Sequence, residues 1–399
     1  MRGNAIVGQS GGPTSVINAS LVGVVEAALA STGVDRVYGM RYGIRGLLDG
    51  NIIDFGTLDQ THISQLKFTP SSALGSTRYK LEDDDLPRVL ELLEQYGIRY
   101  LFLIGGNDTM DTIHRIERYA ADHGYELAGV GVPKTVDNDL FGTDHTPGFP
   151  SAARDVALSV QQAGRLARDM QKVDQYAVFQ AIGRDAGWLA AASSLAKVED
   201  ADPPHLVYIP EVPMNPDRFL EDANRTIERH GYAYIVVGEG VVWEDGTPVS
   251  SSSTTDQFAN IEFGAMGGAS AAMTLHKIIS ENTGYRGEFQ ITESLPMCAA
   301  DRVSDTDREE AYGCGREAFR LAAEGTSGVM VTIRRVQSSP YSYEFGTEAL
   351  SEVARRTHNL PADFYDAEQK LPSEAFHRYA TPLVGRLPAF ATLDAAPTV

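Results

Sequence analysis

Apolar and polar positions fall in repeating blocks: a short apolar run stops at glycine or proline, a polar turn follows, then apolar positions three and four apart. Ala5-Ile6-Val7 leads through Gly8-Gln9-Ser10-Gly11-Gly12-Pro13-Thr14-Ser15 into a predicted helix over about 16–30, with Ile17, Leu21, Val24, Val25 and Ala28 on one stripe. Asp85 is placed to cap a helix that carries Pro87 in its first turn and ends at Gly97. Residues 98–104 read as a strand that breaks at Gly105-Gly106-Asn107-Asp108-Thr109, with a helix over about 110–123 after it. The run 126–132 stops at Pro133 and opens at once into Lys134-Thr135-Val136-Asp137-Asn138-Asp139. Beyond 151 the blocks continue: helix 151–170, strand 176–182, a short helix at 189–192, strand 206–209, helix 216–230 and strand 232–237. A low-complexity loop at 250–255, a helix begun by the glycines at 264–268, a helix over 305–324 and a strand over 328–334 follow. The last thirty or so residues read as irregular packing segments, and no internal repeat is visible. Strands alternating with helices predict an α/β fold with mostly parallel sheets, whose polar loops share one edge.

Ligands of open α/β sheets bind at that edge. The richest loop is 134–139, where two carboxylates two residues apart suit separate tasks, one taking a proton and one holding a metal or aiming a hydroxyl. Lys134 offsets phosphate charge beside them. Gly11-Gly12 and Gly75-Ser76-Thr77-Arg78 offer bare backbone N–H groups, hydroxyls and a guanidinium, a set suited to phosphate. An Asp/Asn-rich turn and a solvated serine loop are the plain readings of the same residues.

Composition narrows the partners. The 399 residues suffice for two α/β domains, and 43% hydrophobic with 22% charged residues is ordinary for a soluble protein. A net charge of −20 argues against nucleic acid or an anionic membrane, so the cations for an anionic substrate have to be gathered locally. Two cysteines, Cys298 and Cys314, make neither a disulfide framework nor a zinc cluster and fit a reducing cytoplasm. The first residues run straight into a strand without a signal-peptide pattern, and no apolar segment is long enough to span a bilayer.

Taken in order, the loops resemble those of the 6-phosphofructokinase family, most closely its pyrophosphate-dependent branch, from about residue 6 to 333. Gly11-Gly12 and Gly75-Ser76-Thr77-Arg78 are similar to its two phosphate loops, and Gly105-Gly106-Asn107-Asp108 to the loop that is Gly-Gly-Asp-Gly in ATP users and Gly-Gly-Asp-Asp in pyrophosphate users. Pro133 to Asp139 resembles the catalytic motif, Ile182-Gly183-Arg184 its Met-Gly-Arg, and Glu239 its sugar-contacting glutamate. The resemblance implies two Rossmann-like lobes with the active site in the cleft between them: a donor lobe of 1–138 joined by about 303–360, an acceptor lobe of 139–302 and a C-terminal packing segment of 361–399. It also implies Mg²⁺ and a homodimer or homotetramer.

Phosphoryl transfer needs a base, an in-line geometry and cations on the moving oxygens. The resemblance makes Asp137 the base and Thr135 the group bonding the phosphoryl or acceptor oxygen, with Arg78, Arg184 and Lys134 spreading charge. Gly11, Gly12, Arg78, Gly106, Asp108 and Lys134 would hold diphosphate. Thr135, Asp137, Asp139, Ile182, Gly183, Arg184 and Glu239 would hold the acceptor. Asp108 stands where ATP users have glycine, so its bulk and charge exclude ATP.

The departures matter equally. The family's metal aspartate is Asn107 here, which leaves Mg²⁺ to Asn107, Asp108 or Asp139. Where the family places arginines against a sugar 6-phosphate, this chain has Gln175, Met297 (aligned through Val303-Ser304 and Asp307) and Glu288 or a displaced Arg286. The nominal acceptor is fructose 6-phosphate; the alternative is a sugar or polyol without that phosphate. A non-catalytic family member is disfavoured because base and phosphate clamps are all present. A nicotinamide oxidoreductase is disfavoured because no GxGxxG follows the first strand. His145 reads as a surface or locally hydrogen-bonded loop residue and stays outside the site.

Overall fold

The computed structural model describes residues 1–250 and 269–392. Its first lobe begins with β1 (Gly3–Gln9), β2 (Val34–Met40), β3 (Ile52–Asp54), β4 (Ile98–Gly105) and β5 (Ala128–Pro133). The second lobe carries β6 (Tyr176–Ala181), β7 (Leu206–Tyr208), β8 (Ala233–Gly238) and β9 (Gly287–Ile291), all parallel, in the order β7-β8-β6-β9. The chain then returns to the first sheet with β10 (Val329–Ser338) and β11 (Tyr341–Ala349), giving the order β11-β10-β5-β4-β1-β2-β3. Within this seven-stranded sheet β3 and β11, the two edge strands, run antiparallel to their neighbours, and the short strands Tyr365–Asp366 and Leu371–Pro372 form a separate antiparallel pair.

The continuous apolar runs follow from burial on both faces of a parallel sheet. One face of the first sheet packs Val7, Phe102 and Val130 against the helices Ile17–Leu29 and Asp305–Ala323. The other packs Ile6, Leu101 and Leu103 against the helices Leu86–Gln95 and Asn107–Asp122. The second lobe is built around the helix Phe149–Asp169, whose apolar face meets Phe179, Trp188 and Val236.

Four expectations change. The helix after β4 starts at Asn107, not near 110, so Asn107 and Asp108 are its first turn. Asp85 does not cap the helix Leu86–Gln95; its carboxylate takes Glu82 N–H at 2.9 Å and Tyr79 OH at 2.7 Å in the preceding turn. Strands β2, β3, β9 and β11 were not anticipated, because each is only partly buried; β11, with its alternating Tyr341, Tyr343 and Phe345, is a half-exposed edge. The C-terminal stretch is not irregular: Ser373 caps a helix, Glu374–Val384, that buries Phe376, Ala380 and Leu383 against the second lobe, and Pro382 sits inside it. The loop expected at 250–255 and the helix start at 264–268 lie almost wholly outside the described residues.

Candidate active site

β1, β4 and β5 are neighbours in the sheet, so the loops at their carboxyl ends converge. Ser10 N–H donates to Ile104 O at 3.0 Å and Lys134 N–H to Gly105 O at 3.1 Å, tying the three loops together. Gly11, at φ +75°, donates its N–H to Thr77 O at 3.3 Å, which seats the first glycine loop on the 75–78 loop. Two buried amides that sequence reasoning passed over do the rest. Gln9 accepts from Leu74 N–H at 3.0 Å, and Asn18 accepts from Gln9 at 2.8 Å and from Ala73 N–H at 2.9 Å. Their polarity inside apolar stripes was the available signal, since a buried amide needs partners.

Lys134 is only 3% exposed, and its Nζ donates to Gly12 O at 2.5 Å. Burial lowers its pKa to about 8, while Asp137 and Asp139 pull it upward and Arg184 pushes it down. Asp137 is raised to about 7, chiefly by burial and then by Asp139 and Glu239, with Arg184 and Lys134 opposing. Asp139 is raised by burial too, relieved by a hydrogen bond from Thr135. Asp137 N–H donates to Thr135 Oγ1 at 3.1 Å, which folds the motif back on itself. The residue between the two acids, Asn138, adopts the left-handed conformation at φ +57°. That reversal lets both carboxylates face the same cluster.

The second lobe answers from the ends of β6 and β8. Glu239 Oε1 accepts Gly183 N–H at 3.1 Å and Arg184 N–H at 2.9 Å, fixing the turn that presents Arg184, itself at φ +50° with an exposed side chain. Burial raises the Glu239 pKa, and Glu293 adds to the rise. Glu293 had not been singled out; its sequence context held no signal. Ile182 packs on the second-lobe core. Met297 crosses the cleft: a Cβ on Gly12 would lie 2.7 Å from its methyl carbon, so a larger residue there would push the thioether aside. Arg78 and Asp108 are exposed at the rim.

Arg286 is not brought to this cluster within one chain. It precedes β9 as Gln175 precedes β6, and the two exchange hydrogen bonds (Gln175 N–H to Arg286 O at 2.7 Å) at the amino ends of those strands. Arg184 follows β6 at its carboxyl end, so one strand length, roughly 20 Å, separates them. Arg286 pairs instead with Asp174 at 3.6 Å.

No cluster of three or more His, Cys, Asp or Glu side chains shaped for a metal exists among the described residues. Asn107 Oδ1, however, is buried without a hydrogen-bond partner, beside Asp108 at the start of its helix. An unpartnered amide oxygen next to a carboxylate suits Mg²⁺, which commonly takes one or two protein oxygens and completes its shell with phosphate and water.

Residues 4–322 match the family model described as phosphofructokinase. The chain is 36% identical over 388 residues to the pyrophosphate–fructose 6-phosphate 1-phosphotransferase of Halomonas elongata, covering 96% of this chain and 91% of that one. It is 33% identical to the sulfofructose kinase of Alkalicoccus urumqiensis, over 92% of this chain and 93% of the other. The crystal structure of a pyrophosphate-dependent phosphofructokinase from Nitrosospira multiformis superposes with a TM-score of 0.87 at 33% identity, covering 99% of this chain and 95% of that one.

Proposed function

The chain belongs to the phosphofructokinase family, and on that premise we propose that it transfers a phosphoryl group from diphosphate to a sugar hydroxyl. The observation that carries this reading is the cluster in which the part-buried Asp137, raised to about 7, faces the buried Lys134 from one lobe and Arg184 and Glu239 from the other. A base with that pKa is half-ready at neutral pH to take a hydroxyl proton.

Diphosphate would lie against the loops at Gly11-Gly12, 75–78 and 106–108, with Lys134 and Arg78 meeting its charge. The acceptor oxygen attacks the terminal phosphorus while its proton passes to Asp137, and the bridging P–O bond breaks to release phosphate. Thr135 orients the reacting oxygens; Arg184 spreads the charge of the moving phosphoryl group. Asp139, Ile182, Gly183 and Glu239 shape the acceptor side. Among the residues assigned to the site, four carboxylates (Asp108, Asp137, Asp139, Glu239) outnumber three cations (Lys134, Arg184, Arg78), so an anionic donor calls for another cation. Mg²⁺ held at Asn107 and Asp108, with Asp139 as a further ligand, would neutralise diphosphate charge.

The nominal acceptor is fructose 6-phosphate. A second reading is favoured by two side chains: Met297 and Gln175 occupy the positions aligned with phosphate-binding arginines. A relative at 33% identity is named a sulfofructose kinase, which fits an acceptor other than fructose 6-phosphate. We assign residues 1–138 with 303–360 to the donor lobe, 139–302 to the acceptor lobe and 361–399 to C-terminal packing. A homodimer or homotetramer working in the cytoplasm completes the proposal. The test is a ³¹P NMR assay of diphosphate consumption against fructose 6-phosphate, sulfofructose and unphosphorylated sugars. Absence of turnover with all of them would overturn it.

A further inference from the structure

The loop that carries Asp137 and Asp139 is held from behind by residues beyond position 322, where the family match ends. Asn138 Nδ2 donates to Tyr379 OH at 3.1 Å, and Tyr379 OH donates to Asp144 O at 2.8 Å. Asn138 Oδ1 accepts Thr146 N–H at 2.9 Å, so both ends of this amide are pinned while its backbone stays left-handed. His358 N–H donates to Asp139 O at 2.8 Å. Tyr379 belongs to the C-terminal helix, and its ring is covered by the Arg335 guanidinium at 4.6 Å. Arg335, on β10, grips Asp144 with Nε at 3.1 Å and Nη2 at 2.9 Å.

We infer that Tyr379 is a positioning residue for the reaction. Acting through Asn138, it fixes the backbone reversal that turns Asp137 toward the cleft. Three observations carry this. The amide it holds sits between the two acids. The backbone of Asn138 is left-handed at φ +57°, a conformation asparagine enters more readily than most residues, and its side chain is pinned at both ends in that conformation. And the phenol is itself locked by a planar, bidentate and stacked arginine, the kind of support that fixes a functional geometry rather than fills space. The inference rests on the proposed phosphotransferase reading and on Asp137 as its base.

Tyr379→Phe keeps the ring and its packing but removes the hydroxyl. With diphosphate and the sugar that the parent uses best, kcat should fall roughly 10- to 100-fold, since small misplacement of a reacting group costs about that much. KM for either substrate should change less than about twofold, because no substrate contact is lost. In an Asp137→Asn background the same change should have almost no further effect on residual kcat, since two residues acting through one group are not additive. Arg335→Lys, which retains charge but loses the fork and the stack, should reproduce the kcat loss in part. An unchanged kcat in Tyr379→Phe, or losses that multiply independently with Asp137→Asn, would overturn the inference and leave Tyr379 a packing residue. Parent turnover with an unaffected Tyr379→Phe sinks the inference alone, whereas a parent without turnover on any sugar sinks the functional reading on which it rests.

Discussion

Asp137 has to leave water to meet its substrate and yet sits beside Asp139 and Glu239, two more carboxylates. Burial and like charge hold its proton on until near neutrality; Lys134 and Arg184 keep the rise from going further. Asp137→Asn should lower kcat about 10²–10⁴-fold, the usual worth of a positioned base, with KM little altered. Initial rates by ³¹P NMR, beside a circular-dichroism check of folding, decide it; near-normal turnover would move the role to Asp139. Met297 raises the opposite question, about what is not charged. A thioether is a poor neighbour for phosphate. Two missing charge-assisted pairs, at roughly 1.5–3 kcal/mol each, amount to about two to four decades in affinity. On the second reading, Gln175→Arg/Met297→Arg should raise kcat/KM for fructose 6-phosphate by about 10²-fold or more over the parent. Efficient use of fructose 6-phosphate by the parent, with no gain in the variant, would return the acceptor to the nominal one. Met297 lies against Gly12 and Gln175 lies at the far end of its strand, so the two single variants are expected to differ: Met297→Arg alone also crowds the glycine loop.

At the scale of elements, the helix Asn107–Asp122 shows how a displaced boundary alters chemistry. Beginning at Asn107, it places the Asp108 carboxylate in its own first turn, where the helix N-terminus stabilises negative charge. On the proposed donor site, this charge at the helix start is what ATP would meet. With Asp108→Gly and Lys134→Gly together, ATP should bind measurably by isothermal titration calorimetry, and the parent should show none. Binding of ATP by the parent would defeat this account of donor choice. The continuous apolar runs made β1, β4, β5, β6, β7, β8 and β10 legible, and the polar bursts after them made the loops of the candidate site legible, because each run is buried on both faces over most of its length. What escaped was structure whose signal is weak or divided. β11 has one wet face. Ser373, Phe376 and Leu383 carry a helix signature that Pro382 and the flanking prolines obscured. Gln9, Asn18 and Tyr379 act through partners far away in sequence, which no local pattern can announce.

The whole molecule is joined behind the cleft by one buried polar knot. His145, entirely buried, donates to Asp144 at 2.8 Å and to Glu310 at 2.6 Å; Tyr341 OH also donates to Glu310, and Arg335 closes the ring on Asp144. The two carboxylates overcome burial and raise the His145 pKa to about 9, while Asp144 is lowered to about 2 by His145 and Arg335 against its own desolvation. The sign follows. The imidazolium stabilises fully below its unfolded pKa of about 6.5 and loses that contribution as pH rises through 9. Asp144 contributes above its ordinary range and fails only as pH falls through 2. Between pH 6.5 and 8 the His145 contribution should shrink by ~2 kcal/mol. Nitrogen-15 spectra of labelled histidine should show, at pH 7.5, a protonated ring that vanishes in His145→Gln. A neutral ring there would refute the assignment. The return of the chain to the first sheet has a separate consequence, one of time. Gly129 N–H donates to the Ser327 hydroxyl 198 residues later, and β10 pairs with β5 directly beyond it. During synthesis β5 therefore emerges with one edge unclaimed, and the second lobe has to form as an insertion inside a host that is not yet closed. Until β10 leaves the ribosome, late in synthesis, that bare edge is a template for any passing strand, and the nascent chain carries its greatest risk of mispairing there.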